Sequence, residues 1–138
     1  MLDLSTEFGT RVVKRLGEAN VIWLTTVNPS GTPQPNPVWF LWENGAFLIY
    51  TQPKSLKVRN ISKNPKVSLN LDADEWGGNV VIFTGEAHID PNTPPVHKNA
   101  AYVEKYREGI ADIQMTPESM AQDYRIAIRV TPKRMRGF

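Results

Sequence analysis

The amino-acid sequence predicts an α+β fold organised around an antiparallel β-barrel of about six strands. Two observations point there. Short runs rich in β-branched and aromatic residues follow one another across hairpin turn signals, and the helical segments are set apart from that meander. With 138 residues and no internal repeat or low-complexity stretch, the chain reads as one domain, residues 1–138.

The first element reads as a helix, because Phe8, Val12, Val13, Leu16 and Ala19 recur at helical spacing behind a Ser5/Thr6 cap, with Glu7 in the first turn. From Asn20 the pattern changes to "VIWLTTV", and "NPSG" turns the chain into "TPQPNPVWFLW". Pro33, Pro35 and Pro37 cannot donate to a β-ladder. The first half of this second strand therefore reads as an edge or an irregular approach, and Val38 to Trp42 as the half that pairs normally. "ENG" is a hairpin signal and "AFLIYT" a third strand. Pro53 ends that strand, Ser55 is placed to cap a helix about two turns long carrying Leu56, Val58 and Ile61, and Asn64-Pro65 closes it. "KVSLNLD" alternates as a fourth strand, "EWGGN" turns, and "VVIFTGEAHI" is a fifth, with Gly85 placed for a bulge. Beyond "DPNTPP", Ala100, Val103 and Tyr106 mark a helix, and "TPESMAQD" opens a short one with Pro117 near its first position. "YRIAIRVTP" is the sixth strand and "KRMRGF" a basic tail.

Composition narrows the chemistry. Apolar residues at 41% and charged ones at 22% are ordinary for a soluble globular protein. The absence of cysteine excludes a disulfide framework, a thiolate zinc site, an iron–sulfur cluster and a cysteine nucleophile. No apolar run approaches the ~20 residues that cross a bilayer, and "MLDLSTEF" lacks the pattern of a signal peptide, so a cytoplasmic location without a membrane partner is expected. His88 and His97 have no partner at metal-ligand spacing, so no metal is proposed, and no nucleophile elbow, Walker loop or dinucleotide fingerprint is present. "DADE" reads as a solvated turn.

The net charge of +2 is too small to define a partner, so the placement of the charges matters. No acidic residue lies between Glu43 and Asp72, and Lys54, Lys57, Arg59, Lys63 and Lys66 fall inside that window. If Ser55 caps the short helix, its hydroxyl and the free backbone N–H groups after it make an anion site flanked by Lys54 and Lys57. Lys57 and Arg59 diverge by about 200° on helical spacing, so the cations do not form one flat patch. A phosphate site and a solvated connecting helix both remain open on the residues alone.

The run "IYTQPKSLKVRNISKNPKVSLNL" resembles the flavin- and deazaflavin-binding split barrels, the superfamily that includes pyridoxamine 5′-phosphate oxidase. The resemblance rests on Tyr50-Thr51 at a strand end, Ser55 and Lys57 opening a helix, and Asn64-Pro65 before the next strand. The three preceding strands and "VVIFTGEAHI" extend it over residues 10–131. It implies a split β-barrel with peripheral helices. The oxidase itself carries an arginine and a lysine on its second strand that grip the flavin phosphate, whereas "PNPVWFLW" has no cation. "PVWFLW" followed by "KSLKVRNI" is instead similar to members that use the deazaflavin F420. For those, the resemblance implies a homodimer with the cofactor in a groove at its interface. The phosphate would lie near Lys54, Ser55 and Lys57, and the ring against Pro37, Val38 and Trp39. Arg59 and Asn60 would lie near the phosphate or the tail, and Thr51 and Asn79 complete the cofactor-binding set. An oligoglutamate tail would be attracted by Arg59, Lys63, Arg134 and Arg136.

The function expected on these grounds is hydride transfer between reduced F420 and a small conjugated organic acceptor, with the protein supplying orientation and electrostatics. No side chain stands out as catalytic acid or base; Tyr50, Tyr124 and His88 are unranked proton donors. FMN on the same fold is the alternative cofactor, in an oxidoreductase or a flavin-binding protein. A third reading is a barrel that grips single-stranded nucleic acid through Lys57, Arg59, Trp39 and Trp42. It is disfavoured, so no nucleic-acid partner is expected, because the tryptophans lie beside prolines on a strand and the cations on a separate helix.

Overall fold

The structure, a computed structural model, describes residues 2–138. In chain order the elements are α1 (Glu7–Glu18), β1 (Ile22–Val27), β2 (Pro33–Val38), β3 (Leu41–Glu43), β4 (Ala46–Thr51), α2 (Leu56–Lys63), β5 (Lys66–Asn70), β6 (Val81–Ile89), α3 (Ala100–Asp112), α4 (Pro117–Asp123) and β7 (Ile126–Gly137). A 3₁₀ turn, Val96–Lys98, precedes α3. The strands make one antiparallel sheet of seven in the order β2-β1-β5-β6-β7-β4-β3, curled into a split barrel with the helices outside it or at its ends.

Seven strands stand where about six were predicted, because "TPQPNPVWFLW" is two strands at opposite edges of the sheet. The proline half pairs with β1, from Val27 opposite Pro33 to Ile22 opposite Val38. Prolines two apart all face the same way from a strand, so their missing donors point away from β1 and off the sheet edge, where no ladder bond is lost. The half expected to pair normally is the one that breaks. Trp39 and Phe40 leave the ladder, and Leu41–Glu43 then pairs with β4. Alternation survives the break: Val38, Phe40 and Trp42 pack on the barrel interior, while Trp39 and Leu41 pack on the core beneath α3 and α4. Two residues thus bridge the edges that the ladder leaves unpaired.

β4 is an unbroken apolar run because both its faces are covered. Phe47 and Ile49 fill the barrel with Phe40 and Phe83, while Leu48 and Tyr50 turn outward under Tyr102, Tyr106 and Ile110 of α3. Those three, four residues apart, form the buried face of α3; Ala100, named from its spacing, is exposed, and Val103 is only partly buried. α1 is capped by Thr6, whose side-chain oxygen accepts from the Gly9 N–H at 2.9 Å, and buries Val12 and Leu16 against the barrel while Val13 faces out.

The predicted bulge at Gly85 is present. The β6–β7 register shifts between Thr84 and Gly85, and a Cβ on Gly85 would stand 2.2 Å from the Thr131 carbonyl oxygen. The "basic tail" is instead the second half of β7, paired with β6 as far as Gly137 opposite Val81. Alternating exposure of Arg134 and Arg136 around a half-buried Met135 gives that segment its period of two.

Candidate functional site

A cleft of about 370 Å³ opens where β2, the end of β4, α2 and the α3–α4 region meet. One wall is Asn36, Pro37, Val38 and Trp39 from the end of β2 and the break after it. Tyr50, Thr51 and Gln52 form the floor, and Lys57 reaches in from the first turn of α2. Tyr102, Ile113, Met120 and Tyr124 close the opposite side. No lining residue carries a carboxylate, so Lys57 is the cleft's sole permanent charge among the described residues.

Lys57 is half-buried, and burial pulls its amine below the usual lysine range. A cation held in partial desolvation without an acidic neighbour is stabilised by any anion placed beside it. The start of α2 adds to this. Ser55 occupies the N-cap position with extended backbone, but its side chain makes no capping bond and lies 3.4 Å from the Thr51 hydroxyl. The first N–H groups of α2 are therefore uncapped by a side chain beside Lys57.

The Trp39 indole is fixed from behind. It stacks on Tyr106, centroids 4.6 Å apart, and a Cβ on Gly109 would come within 3.2 Å of its Cη2. The Tyr106 hydroxyl accepts from the Phe40 N–H at 2.8 Å, and the Lys105 amine donates to the Phe40 carbonyl at 2.7 Å. The backbone N–H and C=O of Phe40, freed at the break between β2 and β3, are thus taken up by α3.

The expected cofactor residues divide into separate places. Pro37, Val38, Trp39, Thr51 and Lys57 share the cleft, with Ser55 at the adjoining helix start and an exposed Lys54 before it. Arg59 faces a second groove on another side of α2, shared with Lys63, Gln34 and Pro29. Asn60, 1% exposed, ties α2 to the sheet: its amide donates to the Thr26 hydroxyl and to the Gln34 side-chain oxygen, both at 2.9 Å. Asn79 stands in the β5–β6 loop, beyond the end of β5 remote from α2, in a left-handed conformation with φ 55°. Arg15 donates to its carbonyl at 2.6 Å. Arg134 lies on the outer face of the sheet rather than near α2, and Arg136 is exposed farther along β7.

Of the three proton-donor candidates, Tyr50 and Tyr124 line the cleft, while His88 is exposed on β6 outside it. The Tyr50 hydroxyl is already engaged, donating to the Pro94 carbonyl at 2.6 Å and accepting from Asn99 at 3.0 Å. Trp39 and Trp42, paired in the nucleic-acid reading, point to opposite sides: Trp42 packs against Phe47 at 4.8 Å on the barrel side. Sequence reasoning missed Tyr102, Ile113, Met120 and Tyr106, which reach the site from a region read only as peripheral helices. The signal available was the spacing of Tyr102, Tyr106 and Ile110 on one helix face.

A family model described as pyridoxamine 5′-phosphate oxidase matches residues 8–138. The chain belongs to the pyridoxamine 5′-phosphate oxidase family. No curated protein matches the sequence. Among solved structures, this family member is similar to an F420 reductase at 26% identity and a TM-score of 0.64, over 84% of this chain and 88% of that one. It is similar to a conserved hypothetical protein of Mycobacterium tuberculosis, with a TM-score of 0.74 at 22% identity, covering 95% and 82% of the two chains. The heme storage protein HutZ of Vibrio cholerae shares the fold at a TM-score of 0.66 and 14% identity, covering 96% and 95%. The chain therefore shares the family's split-barrel fold.

Proposed function

We propose that this protein is an F420-dependent oxidoreductase that passes hydride between reduced F420 and a small conjugated organic acceptor, acting as a homodimer. The observation that carries the reading is the cleft itself: flat aromatic and proline walls, one half-buried lysine beside an uncapped helix start, and no carboxylate. Such a site suits a planar ring joined to an anionic group. Lys57, Ser55 and the first N–H groups of α2 would hold the phosphate, with Lys54 at the rim. Pro37, Val38 and Trp39 would face the ring, and Thr51 would lie at its side. Arg59, across α2, is free to meet an anionic tail. When bound, the deazaflavin supplies the hydride chemistry, and the chain's own residues bind, orient and exclude water. The likeness to an F420 reductase and the absence of a cation on β2 support F420 over FMN.

FMN remains a second reading, favoured by the family match itself. Fluorescence titration of the purified protein with F420 and with FMN decides between them. Micromolar affinity for F420 with weaker binding of FMN supports the proposal, the reverse order favours FMN, and failure to bind either overturns both.

A further inference from the structure

The chain crosses from one edge of the sheet to the other between Val38, paired with Ile22, and Leu41, paired with Leu48. Trp39 and Phe40 span that crossing without a ladder partner, and Trp39 lines the cleft. Two side chains of α3 meet at the Phe40 peptide. Its N–H donates to the Tyr106 hydroxyl at 2.8 Å, and its carbonyl lies 2.9 Å from that hydroxyl and accepts from the Lys105 amine at 2.7 Å. The Tyr106 hydroxyl lies 2.7 Å from a second carbonyl, that of Asn20, two residues before β1. A phenol has one proton to give. Having accepted from the Phe40 N–H, Tyr106 can satisfy the Asn20 carbonyl or the Phe40 carbonyl but not both, and the Asn20 carbonyl is the nearer. The Lys105 amine supplies the donor that this count lacks.

No ion pair among the described residues includes Lys105. Its amine lies instead 3.7 Å from the Phe40 ring centroid and 5.1 Å from that of Tyr106, so Phe40 holds the amine with its ring and receives it with its carbonyl. Consecutive residues of α3 thus grip the crossing twice, Lys105 at the Phe40 peptide and Tyr106 at the Trp39 ring. We propose that Lys105 is a positioning residue for the cleft: by completing the hydrogen bonding of the Phe40 peptide it fixes the backbone beside Trp39, and so holds the indole where a planar ligand meets it. Lys105 is not among the residues that line the cleft, so it acts through Trp39. Without the amine, two carbonyls compete for one phenol proton and one of them is left unpaired. The Phe40 peptide then turns toward another donor, and the backbone of Trp39 turns with it. The effect on cofactor binding rests on the function proposed above; the placement of Trp39 does not.

The test uses two variants of the full chain. Lys105→Met keeps the apolar stem along Phe40 and removes the donor and the charge, and Lys105→Arg restores both. The Trp39 signal is read as the difference in near-ultraviolet circular dichroism between each protein and the same protein carrying Trp39→Phe. The expected result for Lys105→Met is loss of most of that signal with the far-ultraviolet spectrum unchanged, together with F420 affinity lowered about five- to tenfold in fluorescence titration. Lys105→Arg should recover both. An unchanged Trp39 signal, a far-ultraviolet spectrum altered along with it, or a loss that Lys105→Arg does not recover would each overturn the proposal. If the parent binds neither F420 nor FMN, the oxidoreductase reading falls and the Trp39 signal alone decides whether Lys105 positions this wall. If F420 binds the parent and Lys105→Met alike, the positioning role falls and the oxidoreductase reading stands.

Discussion

Trp39 and Tyr106 lie face to face, with ring centroids 4.6 Å apart and planes 3° from parallel. The pair joins the break in the strand to the kink in the helix, because Tyr106 is the residue of α3 with non-helical backbone angles, φ −110° and ψ 17°. The same side chain supports the cleft wall with its ring and the broken backbone with its hydroxyl, and the two roles separate by mutation. Tyr106→Phe keeps the stack and leaves the buried Phe40 N–H without its partner, at a cost of about 1–3 kcal/mol in denaturant unfolding. Tyr106→Leu also removes the stack and should lose about 1 kcal/mol more, with a changed near-ultraviolet circular dichroism signal from Trp39. Equal stability of Tyr106→Phe and the parent would contradict the bonding.

If F420 binds as proposed, Lys57 makes its affinity depend on pH. Burial lowers its pKa from 10.5, and only the protonated amine attracts an anion, so affinity for F420 should fall as pH rises through that lowered value. Lys57→Met should weaken F420 about 10- to 100-fold at neutral pH and flatten that decline. A parent profile that rises with pH, or a variant profile that keeps the same slope, goes against it.

Asn60 is placed to hold α2 on the sheet. Asn60→Ala strips Thr26 and Gln34 of a shared donor and should cost about 1–3 kcal/mol in unfolding experiments. F420 affinity of the folded variant should stay within about twofold of the parent. A stable variant that has lost the cofactor would return Asn60 to the binding site.

Lys105 gives the fold a pH signature. Its amine lies 3.7 Å from the Phe40 ring centroid, and burial lowers its pKa from 10.5 to about 8. Below about 8 the folded and unfolded states both carry the proton, and the cost of burying the charge is fully present. Between about 8 and 10.5 the unfolded chain holds a proton that the folded one has released, so stability rises with pH through this group. Urea unfolding of the parent and Lys105→Met across that window should show the difference moving in favour of the parent. A constant difference, or one moving the other way, removes Lys105 as the cause.

How far the site was legible follows the range of the interactions that make it. The helix at Leu56–Lys63, with Ser55 at its cap position and Lys57 in its first turn, was readable because caps and breakers act within a few residues. The edge character of the proline half was readable for the same reason. Lys57, Trp39 and Thr51 do share a cleft, but Asn60 turns into the fold and Asn79 sits at a far loop. A helix repeat of 3.6 residues shows that Lys57 and Arg59 diverge and does not say which of them meets the cleft.

By itself, the sequence determined the local elements: the Thr6 helix cap, the short helix after Ser55, the strand periods, the bulge at Gly85 and the exclusion of thiol chemistry. The tertiary structure alone decided that "PVWFLW" breaks at Trp39, because the choice between one edge strand and two depends on what β4 and α3 offer to the freed backbone. It also decided that "KRMRGF" is a strand, because β6 offers it a ladder that no nearby residue announces. Tyr102 belongs to the same class. A tyrosine's hydroxyl is committed or free according to partners brought by packing from distant parts of the chain, and that is settled only when the elements meet.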